Sequence, residues 1–235
     1  MASRLVAPKL AFAADLRFST RMESFADRSS SIESDAPSAA PAPRARGAEA
    51  RREAILDAAA ACFVERGYGA TSVDDIAERL GVSKPTLYYH VGGKQELLGA
   101  SFSRALDAYS DAVEVEAVTG SDGRERLHQV VQKYVEITTT VHGRCLHRVP
   151  DVELTPQVRD RLRAVKRKVD ARIRDLLREG VRDGSLRSAD IRMSTFAISG
   201  AMNSIAQWYS PSGKLSPEEI AERLWDSFAE GLRPR

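Results

Sequence analysis

Cysteine is nearly absent: Cys62 and Cys145 are the only two in 235 residues. Two thiols so far apart cannot frame a disulfide-stapled fold, and their scarcity fits a reducing, cytoplasmic compartment. No apolar run approaches the roughly 20 residues that a membrane-spanning helix needs, so no membrane partner is expected. The stretch 5–18 has scattered charges and no small-residue cleavage site behind an apolar core, which argues against a signal peptide. Charge of one sign is lacking too. Lys and Arg number 35 against 33 Asp and Glu, so any contact with a polyanion must come from a local patch. There is no Ser–His–acid arrangement and no paired-carboxylate motif, and Gly92 and Gly93 ahead of Lys94 are too short for a phosphate loop. No catalytic residue and no cofactor is therefore assigned, and the chain does not read as an enzyme. His142, Cys145 and His147 are metal-ligand types, but their spacing is not that of a structural zinc site and no fourth ligand is evident, so no metal is expected. Strand alternation and internal repeats are missing as well.

What is present is helical periodicity and enough apolar residue, 43%, for a real core. The run 71–94, TSVDDIAERLGVSKPTLYYHVGGK, reads as a short helix, a tight turn, a second short helix and a stop. Ile76, Ala77 and Leu80 share one helical face. Gly81 supplies the freedom to turn, Val82 is expected to plug the space between the two helices, and Ser83 can cap the second. That second helix carries Lys84, Thr86, Tyr88, Tyr89 and His90. Two turns of helix do not need so many polar and aromatic tips for their own core, and their shape suits a DNA major groove.

On these residues the chain resembles the TetR family of bacterial one-component regulators. The resemblance covers about 52–98, through ILDAAAACFVERGYGATSV, DDIAERLGVSKPTLYYHV and GGKQELL. Val91, where most of the family has Phe, and the double glycine before Lys94 are departures. The resemblance implies an all-α fold of about nine helices, with a three-helix DNA-binding domain followed by a helical ligand-binding and dimerisation domain. It implies base-edge contacts from Lys84, Pro85, Thr86 and Tyr89. Phosphate contacts would come from Thr71, Ser72, Tyr88, His90 and Lys94. The chemistry agrees: a lysine arm suits guanine O6 and N7, Pro85 and the Thr86 methyl can meet a thymine methyl, and hydroxyls and amides hold phosphate. Leu87 reads as core. For Tyr88 packing against the first helix competes with DNA contact, and for His90 a capping role does.

Three domains are expected: a disordered N-terminal extension at 1–47, the DNA-binding domain at 48–94 and the ligand-binding and dimerisation domain at 95–235. The extension is rich in Ser, Ala and Pro. It reads either as a basic arm that touches DNA through Arg44, Arg46, Arg51 and Arg52, or as a tolerated extension ahead of an effective start such as Met22. The second reading is favoured. A first helix is expected over 48–66, with Ile55, Ala59, Cys62 and Phe63 on its apolar face, Gly67 ending it and Tyr68 packing back. A long helix follows over 94–118. Ser121 or Asp122 starts another that runs to about 141, and 142–154 reads as a broken stretch with one short helix. Thr155 followed by Pro156 is a start signal for a helix to about 182, which Gly184 stops. Ser188 is the expected cap of the next helix, which ends at Ser210 and Pro211. Ser216 with Glu219 forms a capping box ahead of Ile220, Leu224, Trp225 and Phe228.

The last two helices should pair with their mates in a homodimer. Ile198, Ala201, Met202 and Ile205 form one apolar face, with Ser194, Ala197 and Gly200 permitting close approach. Trp225 reads as an interface anchor or as subunit core. Residues 200–231, GAMNSIAQWYSPSGKLSPEEIAERLWDSFAEG, are similar to TetR-family regulators of fatty-acid, steroid-ring and related acyl-CoA catabolism. That similarity implies a coenzyme A thioester as effector. Tyr134, Arg148, Arg163, Arg167, Met202 and Trp208 are the candidate ligand residues, the arginines for phosphates and the rest for an apolar chain. Against them stand the ordinary alternatives of a solvated helix face and a packed core. Taken together, the chain reads as a ligand-responsive regulator that binds a palindromic double-stranded DNA operator as a homodimer. The family resemblance implies a repressor released by a small apolar effector. An activator of the same fold, an acyl-CoA-acting enzyme with a vestigial helix-turn-helix, and a ligand-blind DNA-organising protein remain the rivals.

Overall fold

The computed structural model describes residues 43–114, 119–188 and 190–232. They form α1 (Pro43–Arg66), α2 (Val73–Leu80), α3 (Lys84–His90), α4 (Lys94–Ala112), α5 (Gly123–Thr139), α6 (Val141–Arg148), a 3-10 turn (Asp151–Glu153), α7 (Pro156–Asp183), α8 (Ile191–Trp208) and α9 (Pro217–Leu232). Among the described residues there is no strand, so the all-α class stands. One continuous apolar core runs from Ile55 to Trp225. The expectation of disorder over 1–42 lies outside the described residues. α4 does not run to the expected 118 but ends at Ala112, where Val113 caps it and its amide turns back to the Asp111 carbonyl. α1 begins at Pro43, five residues ahead of the expected 48.

Local chemistry sets most helix ends. Ser72 caps α2 by accepting from the Asp75 amide (3.1 Å), and the Asp75 carboxylate accepts from the Ser72 amide (2.7 Å). Gly81 then takes φ 65°, where a side chain would be strained. Thr155 caps α7 with Pro156 in the first turn, and Gly184 closes it at φ 81°. The Ser216–Glu219 capping box forms as expected: the Ser216 amide donates to Glu219 Oε2 (2.8 Å) and the Glu219 amide donates to Ser216 Oγ (3.2 Å).

Two expectations need correction. Asp190, not Ser188, caps α8. Its Oδ1 accepts from the amides of Arg192 and Met193 (2.9 and 3.0 Å), while Ser188 Oγ meets Ser194 Oγ (2.8 Å). A carboxylate at the positive end of the helix is the stronger acceptor. Val82 does not plug the helix-turn-helix. It is 38% exposed, and Ile76 and Leu87 fill that space instead, both fully buried.

α1 and α4 run antiparallel. Tyr68, just past α1, donates to Gln95 near the start of α4 (2.6 Å), and Glu53 towards the other end of α1 pairs with Arg104. α6 is wedged against both, because His142 accepts from or donates to Ser101 Oγ through Nδ1 (2.9 Å) and reaches Asp57 through Nε2 (3.0 Å). The α1–α2–α3 head is thereby tied to the rest of the chain.

Candidate nucleic-acid interface and effector site

α3 is seven residues long and spends one of its described side chains on the core. Leu87 is fully buried, while Lys84, Pro85, Thr86, Tyr88 and Tyr89 are exposed, Tyr89 to 86%. A helix this short is held by its ends. Ser83 accepts from the Thr86 amide (3.4 Å), and the Val91 amide donates to the Leu87 carbonyl (3.1 Å). Pro85 in the first turn costs nothing, since its missing amide would have had no helical partner. The result is a ridge of polar and aromatic tips above a single apolar foot.

Several of these groups have partners within the chain. Lys84 Nζ lies 2.9 Å from Asp74, which raises the lysine pKa through a charge-assisted hydrogen bond. Both groups are solvated, so the pair is readily exchanged for a phosphate or a base edge. Thr86 Oγ1 meets Ser83 Oγ (2.7 Å). Lys94 Nζ sits 4.2 Å from the Tyr68 ring centroid and 3.5 Å from the Gly69 carbonyl. Gly93, its N-cap, has φ 141°, a value that only glycine takes easily. Ser72 is exposed at the start of α2. The side chain of His90 lies outside the described residues.

Thr71 departs from the expected phosphate contact. It is 2% exposed, and its hydroxyl donates to the Gly67 carbonyl (2.8 Å) and approaches the Cys62 carbonyl (3.2 Å). It closes the C-terminus of α1, where free carbonyls need donors. Of the arginines of the arm reading, Arg44 and Arg46 have side chains outside the described residues, and Arg52 is placed away from α3. Arg52 lines a cleft of about 280 Å³ with Glu49, Glu53, Ser103, Arg104 and Asp107. Asp107 is about 20 Å of helix away from Lys94, so this end of α1 points away from α3.

The expected ligand residues separate into two groups. Tyr134 and Met202 are buried. Arg163 and Arg167 are exposed on α7, and Arg163 faces Asp160 at 3.4 Å. Arg148 is engaged: its Nε donates to the Ala206 carbonyl (2.7 Å), so it serves the C-terminal carbonyls of α8. Trp208 is 55% exposed at the end of α8. Trp225 belongs to the subunit core, stacked on His128 of α5 with centroids 4.7 Å apart. Ile198, Met202 and Ile205 are likewise buried within the subunit. The outward face of α8 consists of Met193, Ala197, Gly200, Ser204 and Trp208 instead.

The periodicity of the apolar positions hid a polar cluster inside the helical bundle. The Thr138 hydroxyl of α5 donates to the Tyr134 carbonyl (2.8 Å), so it accepts from the Tyr109 hydroxyl of α4 (2.7 Å). The Tyr109 oxygen then accepts from His147 Nε2 of α6 (3.1 Å). The Tyr134 ring lies 4.5 Å from that of Tyr109, and its hydroxyl donates to Asn203 Oδ1 of α8 (2.5 Å). Ser199, one turn earlier on α8, donates to Asp170 of α7 (3.0 Å). Burial holds the His147 imidazole neutral, with a pKa near 4, and nearby Lys166 adds to that. Burial also raises both tyrosines and Asp170. Sequence reading found Tyr134 and missed the others, because Tyr109, His147 and Asn203 lie on three different helices.

The H-x2-C-x-H residues do not converge. His142 turns to Ser101 and Asp57, His147 to Tyr109, and the Cys145 thiol is pushed up to about 12 by burial. Among the described residues, no group of three or more His, Cys, Asp or Glu side chains could hold a metal ion. No helix of the described residues is long and apolar enough to cross a membrane.

Comparison with known proteins agrees with this architecture. Residues 55–100 match the family described as bacterial regulatory proteins, tetR family. Residues 120–232 match the tetracyclin repressor-like C-terminal domain. The chain is 27% identical to the transcriptional repressor KstR2 of Rhodococcus jostii, over 82% of this chain and 96% of that one. It is 30% identical to the transcriptional activator FasR of Mycolicibacterium smegmatis, over 73% of this chain and 78% of that one. The crystal structure of AibR in complex with isovaleryl coenzyme A and operator DNA superposes with a TM-score of 0.64 at 26% identity, covering 75% of this chain and 97% of that one. Two family matches that span the head and the helical body, on a fold of this kind, make the chain a member of the TetR family of bacterial transcriptional regulators.

Proposed function

We propose that this chain is a homodimeric cytoplasmic repressor that lays two copies of α3 into successive major grooves of a palindromic operator and leaves it when a coenzyme A thioester binds. The observation that carries the DNA reading is α3 itself, one buried leucine beneath a solvent-facing row of Lys84, Pro85, Thr86 and Tyr89. These four would read base edges, while Ser72, Tyr88, His90 and Lys94 would hold phosphates. Division of labour between a head at 48–94 and a sensor at 95–235 follows from the same reading. A seven-residue helix covers few base pairs, so useful specificity requires two heads about 34–36 Å apart, or a multiple of that.

The face of α8 formed by Met193, Ala197, Gly200, Ser204 and Trp208 supports the dimer. Apart from its own stretch of helix, no atom lies within 4 Å of where a Gly200 Cβ would be, and small residues between two large apolar ones allow a second helix to approach closely. The repressor reading rests on KstR2, and FasR favours the activator as second reading. The thioester reading rests on AibR and on the interior cluster at Tyr134. Arg163 and Arg167, exposed on α7, suit the phosphates of coenzyme A at the surface while the acyl chain lies inside.

The test is a mobility shift on the intergenic DNA upstream of the gene, repeated with acyl-coenzyme A thioesters and their free acids. Loss of a base contact costs about 1–3 kcal/mol. Tyr89→Ala is therefore expected to weaken specific binding about five- to 150-fold while the dimer elutes unchanged in size-exclusion chromatography. Wild-type affinity in that variant would reassign the recognition helix, and a monomeric wild type would end the two-head geometry.

A further inference from the structure

One polar atom of the interior cluster has no partner. Asn203 Nδ2 is buried and meets no acceptor among the described residues. Its orientation is set from the other side of the amide, because the Tyr134 hydroxyl donates to Oδ1. Tyr134 is in turn confined by its contact with the Tyr109 ring, and Tyr109 by its bonds to Thr138 and His147. The donor is thus pointed by a chain of side chains drawn from α4, α5 and α6. Native interiors leave very few buried donors unmet, and those that remain call for an explanation. A fixed donor of this kind is preorganised for an acceptor that arrives from outside.

The chemistry of that acceptor follows from the proposed effector, on which this step rests. In an acyl-coenzyme A the acyl chain is hydrocarbon, and the acceptor next to it is the thioester carbonyl oxygen. We propose that Asn203 Nδ2 donates to the thioester carbonyl of the effector, with Tyr134 as the positioning residue that aims it. A site built to hydrogen-bond a ligand group rejects an analogue that lacks it, because the protein donor is then left buried and unpaired.

The experiment isolates that one oxygen. Isovaleryl-, octanoyl- and palmitoyl-coenzyme A are compared by calorimetry with their S-alkyl counterparts, in which a methylene replaces the carbonyl, on the full chain. The wild type should bind at least one thioester about tenfold or more tightly than its thioether, the ratio equivalent to about 1.4 kcal/mol. Asn203→Asp, which keeps the shape and removes the donor, and Asn203→Leu should both bring that ratio close to one. Operator affinity without ligand reports that each variant is folded. If the wild type binds thioester and thioether equally, the carbonyl contact is wrong while the acyl-coenzyme A reading stands. If it binds neither, both fall. A preference that persists in both variants assigns the carbonyl to another residue.

Discussion

His142 of α6 stands 3.0 Å from Asp57 of α1, and its other ring nitrogen meets Ser101 of α4 at 2.9 Å. The approach to Asp57 is short but off the line of a good hydrogen bond, which leaves Nε2 without a hydrogen-bonding partner. Burial lowers the imidazole pKa, and Arg104 adds to this, while Asp57 opposes both. A neutral ring with its proton on Nε2 lets Nδ1 accept from the Ser101 hydroxyl and turns its N–H towards Asp57. One side chain from the sensor therefore touches the helix that carries the head and the helix that leaves it.

That contact predicts a coupling defect. If α6 shifts on effector binding, His142 would pass the shift to α1 and α4, and a coupling free energy between sites is typically about 1–3 kcal/mol. His142→Phe is expected to retain operator affinity within about threefold in the absence of effector. The ratio of operator Kd with and without saturating effector should shrink about tenfold. Fluorescence anisotropy with labelled operator measures both quantities, and an unchanged ratio would remove His142 from the coupling path.

A second prediction concerns acid. His147 has a folded pKa of about 4 against an ordinary 6.5, because burial penalises the imidazolium. The unfolded chain then takes up a proton at higher pH than the folded one. Stability is therefore lost as pH falls from about 6.5 towards 4, and no further loss comes from this group below that range. Between about pH 7.5 and about pH 5 the loss from His147 is about 2 kcal/mol. Urea unfolding should show the wild type losing about that much more than His147→Gln over the same interval. Parallel losses would mean that the ring is solvated.

A third prediction concerns close packing of backbones. α5 meets α7 where Gly123 approaches Gly180, and a Cβ on Gly123 would lie 2.2 Å from the Gly180 amide nitrogen. The Gly123 amide also donates to Asp183 (2.8 Å). Backbone cannot step aside, so Gly123→Ala should cost about 1–3 kcal/mol and lower Tm by several degrees. A Cβ on Gly180 would instead meet the buried Leu186 side chain, at 2.6 Å from Cδ1 and 3.0 Å from Cβ, and a side chain gives way more readily than backbone, so Gly180→Ala should cost less. Thermal melts of the two variants decide it, and the reverse order would contradict the argument.

Much of the head could be read from residue types because its signals are local. Gly81, Ser83, Leu87 and the exposed tips of α3 each depend on neighbours within one or two turns. The helix starts at Thr155 and Ser216 were legible for the same reason. Errors arose where two near neighbours competed for one role, as Ser188 and Asp190 did for the cap of α8 and as Val82 did with Ile76 and Leu87 for the turn. A burial pattern also could not say whether Trp225 packs inward or against a second copy, and the chain packs it on His128.

The amino-acid order alone determined the all-helical class, the two-helix reading head and the identity of its outward-facing residues, since 3.6-residue periodicity and capping are encoded locally. Only tertiary packing decided that Thr71 seals α1, that Arg148 serves α8, that Trp208 is exposed, and that Tyr109, Tyr134, His147 and Asn203 converge. Their meeting depends on how four helices cross, and a hydrogen bond between residues separated by dozens of positions leaves no trace in periodicity.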